Sequence, residues 1–531
     1  MDEVISVLGK TGKKWSSQIT YGLLVLIFLL GLFLRFYQFP ERFPWFGDTA
    51  RDALVSKHIW KYEESISIGH YASGLPVNET ACQVRAYPSY YYHSLATLWS
   101  LTHSLAGVMA IITILHATGI IVAFLIVSLY LDKKAGLVAA LLYAVSIDFI
   151  GNAYFLTTIH VPIPVLLLAV YSVLLGVQRQ KRWLTVLGLS GIVYLSAYHY
   201  SILLFFIFFF FVVERSLAKS NFRCGLRNTL LFGSFYFGFF LLLHGEVIRA
   251  CNGILPFLQS FFSQGSNELS VWSTLRSFWL LLSYHFFVTF QLWTESIAIL
   301  IFILLADVFF NLKKLRGVLI GTVLLAVFFL MGGAVFPNPS MEMQQIQTMY
   351  SRQLIFFLAA FGFGGSLFIA VKKRNYFRLI GLYFVFIALT LSVSLSFFVF
   401  RPAVYSTPMK ELAEYLLKRP EFESAKVKFI SGNGSDYDTV ILAYWLEELS
   451  GKQLYQIVNG SAENRTNYVS INDNSMYIFF ICNEFVNNEE SPCFQAMKDF
   501  QEAHHNYIFS QEFLTIKNFS IYFFKPQGEG K

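Results

Sequence analysis

The chain has 531 residues, of which 55% are hydrophobic, 18% are aromatic and 14% are charged, and its net charge is +7 at pH 7. Soluble globular proteins average about 25% charged residues, so this composition excludes a protein that is soluble over most of its length. The positive excess lies in the short loops of the first 400 residues, whereas the remainder is acidic overall. We interpret this distribution as a sign of membrane orientation and expect no nucleic-acid partner.

Eleven apolar stretches in the first 400 residues predict transmembrane helices, because a helix needs roughly 20 apolar residues to cross a bilayer. In chain order they are Ile19–Phe36, Ala106–Tyr130, Ala135–Phe149, Val161–Val177, Leu184–Tyr198, Ser201–Val213, Thr229–His244, Ile297–Phe310, Val318–Phe336, Gln353–Val371 and Leu379–Phe400. The lysine-bearing segment before the first stretch has no small-residue cleavage site after it, so we expect an uncleaved membrane helix.

Two kinds of connector alternate between these stretches. Short basic loops lie at 132–134, 179–182, 215–227, 313–316 and 372–378, and loops poor in Lys and Arg lie at 150–160, after His244 and at 336–351. The positive-inside rule places the basic loops and the N-terminus in the cytoplasm. Counting Arg276–Leu292 as a further span would reverse every later loop, so we expect an interfacial or re-entrant helix there. The predicted location is the plasma (inner) membrane, with multiple passes.

The predicted fold class is a polytopic α-helical membrane protein of about 11 transmembrane helices, followed by a small extracytoplasmic α/β domain. The membrane module covers residues 1–400, with a large first extracytoplasmic loop at 37–104, and the soluble domain covers residues 401–531. The soluble domain is predicted to contain helices at Thr407–Leu417 and Tyr437–Leu449, and strands at Lys426–Ile430, Leu454–Val458, Met476–Ile481, Tyr507–Phe509 and Ser520–Phe524.

The cysteines show no spacing typical of a metal site; they are Cys82, Cys224, Cys251, Cys482 and Cys493. Cys482 and Cys493 fall in the same soluble segment and could form a disulfide in an oxidising compartment. Two free thiols are an equally open interpretation.

The first loop is too long to serve only as a connector, since loops beyond roughly 15 residues in a compact protein are usually functional or disordered. Its aromatic residues are typical of helices that lie in the lipid headgroup region. Within it, Gly47 permits a tight turn, and Asp48 or Thr49 can cap a helix that follows. The spacing of Asp48, Arg51 and Asp52 places them on one helix face. They indicate either a cap with a surface ion pair or a catalytic cluster, and the residues alone leave both open.

Several motifs in chain order resemble one known family. They are Arg35-Phe36-Tyr37 followed by Gly47-Asp48 and Arg51-Asp52-Ala53, then Tyr87-Pro88-Ser89-Tyr90-Tyr91-Tyr92, Leu131-Asp132-Lys133-Lys134-Ala135-Gly136-Leu137 and Tyr198-His199-Tyr200-Ser201. Together they are similar to bacterial C-type (GT-C superfamily) membrane glycosyltransferases related to glycosyltransferase family 39, which include protein mannosyltransferases and the lipid A aminoarabinose transferase.

The sequence departs from that family in two places. The loop element that the family writes as Asn-Pro-Asn-Pro or Arg-Pro-Asp is replaced by Ile159-His160-Val161-Pro162-Ile163-Pro164, which lacks the second acidic or amide position. In the family a glutamine usually follows the first-loop aspartate, and this sequence has Thr49 at that position. The first change puts a metal or acceptor role of that loop in question.

The resemblance implies transfer of a sugar from a polyprenyl-phosphate donor to an extracytoplasmic lipid, glycan or protein, with inversion at the anomeric carbon. Asp48 is the expected general base, because an acceptor hydroxyl is a poor nucleophile until a carboxylate removes its proton. Arginine suits the leaving phosphate through its bidentate fork, and Arg352 is assigned to it by resemblance. The residues expected to bind substrate are Arg51, Asp52, Tyr90, Tyr91, His160, His199 and Arg352.

Other interpretations of the sequence stay open. His160 and His199 also suit hydrogen-bonded interface roles, and His244, Glu246 and Arg249 suit a helix cap better than a sugar pocket. Asp48 and Asp52 could bind a divalent metal, although no full ligand set is visible. The competing functions are a transporter or flippase for a lipid-linked sugar, a non-catalytic partner in glycan assembly, and en bloc oligosaccharide transfer to asparagine, for which no acceptor-peptide motif is found.

Overall fold

The computed structural model describes most of the N-terminal module and selected elements of the C-terminal segment, by which we mean residues 401–531. The described residues are 17–39, 43, 47–63, 88–158, 160–198, 222–257, 294–312, 315–316, 319–320, 322–323, 341–382, 408–418, 427–431, 437–451, 456–457, 469–470, 477–482, 498, 502, 507–516 and 519–526. All statements of structure below concern these residues.

Two helices in the described part of the chain are long and apolar enough to cross a membrane, α1 (Ser17–Phe36) and α4 (Leu105–Tyr130). Both consist largely of Leu, Ile, Val and Phe, and α4 is the more deeply buried of the two. Ser104 begins α4 by accepting a hydrogen bond from the Gly107 backbone N–H at 3.1 Å. These helices pack against each other, and α4 also contacts several further helices of the module.

The helices of the first loop lie at one end of this pair. They are α2 (Gly47–Lys61) and α3 (Tyr90–Thr102), which pack against each other, and α3 leads directly into α4. Since α2 begins at Gly47, Asp48 and Thr49 lie inside its first turn, and the prediction that one of them caps the helix is wrong. Asp48 instead places a negative charge at the positive end of the helix dipole.

The next helices fold back along α4. They are α5 (Lys133–Val145), α6 (Ile147–Gly151), a 3₁₀ turn (Asn152–Tyr154), α7 (Ile163–Gln178) and α8 (Arg182–Ser196). Asp132 caps α5 by accepting from the Ala135 N–H at 2.8 Å. The predicted single span Ala135–Phe149 is interrupted at Ser146, whose extended backbone separates α5 from α6.

Arg35 explains why this interruption is stable. Its fully buried guanidinium donates to the carbonyl oxygens of Gly31 at 3.0 Å and Ala144 at 3.2 Å, and to those of Tyr143 at 3.4 Å and Phe149 at 3.3 Å. Carbonyls at the end of a helix have no partner within the helix. The end of α1 is thus joined to the break between α5 and α6.

The remaining helices of the N-terminal module are α9 (Phe222–Leu243), α10 (Gly245–Ala250), α11 (Thr294–Asn311) and α12 (Met341–Lys372). His244 lies between α9 and α10, where its Nδ1 is 2.9 Å from the Phe240 carbonyl oxygen, as expected of a helix-end residue. Glu246 and Arg249 form an exposed ion pair at 3.3 Å. Cys251 is disulfide-bonded, which the sequence analysis did not anticipate.

In the C-terminal segment the described helices are α13 (Pro408–Leu416) and α14 (Tyr437–Ser450). The strands are β1 (Val427–Ser431), β2 (Gln456–Ile457), β3 (Val469–Ser470), β4 (Tyr477–Cys482), β5 (Tyr507–Ile516) and β6 (Phe519–Pro526). A four-stranded sheet has the order β1-β4-β6-β5, with β1 parallel to β4 and the other pairs antiparallel, and β2 pairs with β3. All of these elements except β3 coincide with ones predicted from the sequence, and β5 extends seven residues beyond the predicted Phe509.

Eight of the predicted spans coincide with helices, with ends that differ by a few residues except at α9 and α12, which begin 7 and 12 residues before the predicted Thr229 and Gln353. The span predicted at Ser201–Val213 lies outside the described residues, as do most of Val318–Phe336 and Leu379–Phe400. The segment Arg276–Leu292 also lies outside them, so its predicted re-entrant conformation stays a prediction.

Candidate functional site

Asp48, Arg51 and Asp52 form a continuous ion pair cluster at the start of α2. An Nη of Arg51 lies 2.6 Å from the Asp48 carboxylate, while its other Nη and its Nε lie 2.9 and 3.0 Å from the same Oδ1 atom of Asp52. The guanidinium therefore bridges both carboxylates, as the helical spacing predicts.

The two carboxylates differ in their contact with water. The Asp48 side chain is 23% exposed, that of Arg51 is 11% exposed, and that of Asp52 is fully buried. Burial raises the pKa of Asp52 to about 6, although Arg51 opposes that shift, and Asp48 adds to it. Asp48 is thus the carboxylate that an incoming molecule can approach, and Asp52 is an internal one.

Tyr92 is the second partner of the buried carboxylate. Its hydroxyl donates to Asp52 Oδ1 at 3.0 Å, and burial raises the pKa of Tyr92 well above its usual value. Sequence reasoning selected Tyr90 and Tyr91 from this cluster and missed Tyr92. The signal was present: Tyr92, Leu95 and Trp99 have the spacing of a buried helix face, and all three are buried.

The predicted tyrosines lie on either side of this contact. Tyr91 is buried, and its ring lies 5.1 Å from that of Tyr92 and 5.7 Å from that of Tyr198. Tyr90 is 39% exposed, with its ring 6.2 Å from that of Tyr194. Tyr91 therefore supports the cluster from within, whereas Tyr90 is accessible to a ligand.

The other predicted residues are not joined to the cluster by a described contact. His160 is buried in the loop before α7, where its Nδ1 is 2.6 Å from Thr157 Oγ1 and its ring stacks on Phe155. Arg352 lies within α12, and His199 lies outside the described residues. The substrate-binding roles of these three residues stay predictions.

Within the described ranges, no group of three or more His, Cys, Asp or Glu residues could hold a metal ion. Asp48 and Asp52 both direct carboxylate oxygens to Arg51, so a divalent cation would compete with the guanidinium for the same atoms. The arrangement favours an ion pair over a metal site.

The sequence matches a family model over residues 91–233, and that model is described as dolichyl-phosphate-mannose-protein mannosyltransferase. The matched region runs from α3 into α9 and includes Tyr91, Tyr92 and His160. No curated protein matches the sequence.

The fold is similar to that of solved membrane glycosyltransferases. ArnT from Cupriavidus metallidurans in the apo state is 12% identical with a TM-score of 0.55, over 95% of this chain and 98% of that one. ArnT bound to undecaprenyl phosphate is also 12% identical, with a TM-score of 0.54 over 94% and 98% of the two chains. Archaeal oligosaccharyltransferase AglB from Archaeoglobus fulgidus, in complex with an inhibitory peptide and a dolichol-phosphate, is 14% identical with a TM-score of 0.53.

The archaeal match covers 96% of this chain and 74% of that one. Against an apo Archaeoglobus fulgidus oligosaccharyltransferase, this chain spans 65% of that protein's length. The similarities show that the chain has the fold of a GT-C membrane glycosyltransferase, and the predicted resemblance is confirmed.

Proposed function

We propose that this protein is an inverting membrane glycosyltransferase, which transfers a sugar from a polyprenyl-phosphate donor to an extracytoplasmic acceptor. The observation that carries the proposal is the partly exposed Asp48 carboxylate, held by Arg51 against the buried Asp52 at the start of α2. The GT-C fold supplies the setting in which such a first-loop carboxylate is expected to be catalytic. The acceptor is a lipid, a glycan or a protein.

Asp48 acts as the general base in this scheme. It takes the proton of the acceptor hydroxyl as the acceptor oxygen bonds to the anomeric carbon, and the bond from that carbon to the phosphate oxygen breaks. The polyprenyl phosphate leaves with the bonding electrons. A single displacement of this kind inverts the configuration of the sugar.

Arg51 and Asp52 prepare Asp48 for that role. The two contacts of Arg51 with Asp52 Oδ1 fix the guanidinium, which in turn orients the Asp48 carboxylate. Because Asp52 shares the positive charge of Arg51, Asp48 is less strongly neutralised than it would be in an isolated ion pair. Arg51 also places a cation near the site where the phosphate leaves.

Two of the similar structures support the choice of donor. ArnT is described with undecaprenyl phosphate and AglB with a dolichol-phosphate, and both ligands are phosphates of long polyprenoid lipids. We propose the same class of carrier here, with Arg352 at its phosphate, Tyr90, His160 and His199 around the sugar, and Tyr91 supporting the site from within. The site and the C-terminal segment are proposed to face away from the cytoplasm of a plasma (inner) membrane.

The decisive experiment incubates the purified full-length protein with polyprenyl-phosphate hexose or pentose and follows release of the sugar from the lipid. Asp48→Asn should reduce the rate at least about a hundredfold, since a general base contributes 10²–10⁴-fold, while expression and membrane insertion stay normal. Asp132→Asn makes the same chemical change at the α5 cap and should retain most of the activity.

Retention of activity in Asp48→Asn would remove Asp48 from the mechanism. Movement of the intact donor across a vesicle membrane, without loss of its sugar, would instead identify the protein as a transporter. A donor that is bound but neither cleaved nor moved would indicate a non-catalytic partner in glycan assembly.

A further inference from the structure

A group of charged contacts joins α2 to α14 of the C-terminal segment. His58 Nε2 lies 2.7 Å from Glu447 Oε2, and Lys57 Nζ lies 2.6 Å from Glu448 Oε2. Lys61 Nζ donates to the Gly451 carbonyl oxygen at 3.1 Å. We call these three contacts the α2–α14 clasp.

The central contact of the clasp is fully buried, because the side chains of both His58 and Glu447 have 0% exposure. A carboxylate only accepts hydrogen bonds, so the His58 Nε2 carries the hydrogen when Glu447 is ionised. Removing one member would leave the other buried without that partner, and such losses are strongly destabilising. The contact therefore defines one position of α14 relative to α2.

The two flanking contacts, made by Lys57 and Lys61, are more accessible and hold α2 and α14 in the same relative position. The Glu448 side chain is 37% exposed, while that of Lys57 is 5% exposed and its Nζ lies 5.6 Å from the centre of the Tyr444 ring. Exposed ion pairs contribute little to stability. The buried pair accordingly carries most of the specificity of the clasp.

The opposite side of α2 is held by α3. Tyr92 donates to Asp52, Trp99 Nε1 donates to Ser56 Oγ at 3.0 Å, and the Trp60 and Trp99 rings stack with centroids 5.8 Å apart. Helix α2 thus lies between α3, which follows it in the first loop, and α14, which is almost 400 residues further along the chain.

Asp48 is ten residues before His58 on the same helix, which corresponds to about 15 Å along the axis. An uninterrupted α-helix of this length transmits a change in its position to its far end. A shift of α2 at the clasp would therefore move the Asp48 carboxylate, and a misplacement of about 1 Å can cost 10²-fold in rate.

We propose that the C-terminal segment positions the active site through the α2–α14 clasp, with His58 and Glu447 as positioning residues. The expected loss of rate in the variants rests on the proposed function, whereas the positioning of α2 by α14 does not. A simple tether for a soluble domain would need neither a buried pair nor contacts with the helix that carries the base. The clasp supplies both.

The test uses full-length protein in detergent or nanodiscs and compares Glu447→Ala, Glu447→Gln and His58→Gln with the wild type. Gln at either position preserves a hydrogen bond, whereas Ala removes it. Glu414→Gln is the matched control, because Glu414 lies exposed on α13 of the same segment. The measurements are kcat and donor KM, and hydrogen exchange of the peptide that covers residues 47–56.

Glu447→Ala should lower kcat about 10- to 100-fold with donor KM changed by less than about twofold. It should also speed exchange in residues 47–56 at least about tenfold, since a helix held on one side opens more readily. Both Gln variants should lie between the wild type and Glu447→Ala, because the amide makes a weaker or differently placed hydrogen bond than the imidazole–carboxylate pair. Their activity should stay within about fivefold of the wild type, their exchange at 47–56 should be at least about twofold faster, and the control should match the wild type.

Unchanged exchange in residues 47–56 of Glu447→Ala would overturn the proposal, whatever happens to the rate. Should Glu447→Ala fail to fold, His58→Gln and Glu447→Gln decide the matter. Accelerated exchange at 47–56 in either supports the proposal, and wild-type exchange at 47–56 in both overturns it. If the wild type releases no sugar from any polyprenyl-phosphate donor, the proposed function fails, and the exchange measurement still decides the role of the clasp.

Discussion

Arg51 joins two carboxylates that differ in burial, and this difference separates their roles. Asp48 is partly exposed and can meet an acceptor, whereas Asp52 is buried with Tyr92 as its second donor. Enzymes often place two carboxylates in unlike environments so that each has a different protonation behaviour. We propose that the buried carboxylate acts here through the guanidinium and not by contact with substrate.

The pKa of Asp52, about 6, predicts an acid limb in the rate. Below that pH Asp52 is protonated, Arg51 pairs with Asp48 alone, and Asp48 becomes a weaker base. The rate should therefore fall as pH drops through about 6. In Asp52→Asn this inflection should be absent and the rate lower throughout, as a pH–rate profile between pH 5 and 8 would reveal.

An acid limb near pH 6 that survives in Asp52→Asn would assign it to another group. The same shift has a consequence for stability, because the pKa of Asp52 is higher in the folded protein than its ordinary value of 3.8. The folded state then holds the proton more tightly, so this group's contribution to stability decreases as pH rises from about 4 to 6.

Among the elements, α7 and α8 approach each other closely at Gly188. A Cβ added there would lie 2.5 Å from the Ala169 carbonyl oxygen and 2.9 Å from the Val173 nitrogen, and both atoms belong to the backbone of α7. Small residues permit such contact between membrane helices. The packing of this helix hairpin therefore depends on the absence of a side chain.

Gly188→Ala should destabilise the protein by about 1–3 kcal/mol, because the helices must move apart. Gly22→Ala on α1 is the matched control, since a Cβ there meets nothing within 4 Å, and it should leave stability unchanged or slightly higher. Thermal unfolding of both variants in the same detergent measures the difference. Equal melting temperatures for the two variants would contradict this account of the hairpin.

Local sequence patterns predicted most helix and strand positions, because each depends on neighbouring residues. The same patterns missed the interruption at Ser146, which depends on Arg35 donating from another helix. They found Asp48, Arg51 and Asp52 because helical spacing alone brings these residues together. They could not find the His58–Glu447 pair, whose members are 389 residues apart and share no local motif.

At the scale of the whole molecule, the alternation of basic loops predicts which side of the membrane each loop faces. Lys372 lies exposed at the end of α12, and Lys418 lies exposed after α13 in the C-terminal segment. In sealed, right-side-out vesicles, a membrane-impermeant amine reagent should modify Lys418 and spare Lys372. Mass spectrometry of the peptides reads both positions in one sample.

Opening the vesicles with detergent is the control, and it should make Lys372 as reactive as Lys418. One span is predicted between Lys372 and Lys418. Modification of both residues in sealed vesicles would mean that an even number of spans separates them instead. The segment Arg276–Leu292 precedes both residues, so a reversed pattern, with Lys372 modified and Lys418 spared, would indicate that this segment crosses the bilayer.

The contact of Arg35 with the end of α5 has a consequence for biogenesis. Its acceptors Ala144 and Phe149 follow it by 109 and 114 residues, so the ribosome must make α2 to α6 before both are present. Until then, Arg35 of a nascent α1 lacks these two acceptors. We therefore expect α1 to reach its final, fixed position only after α5 and α6 have been made.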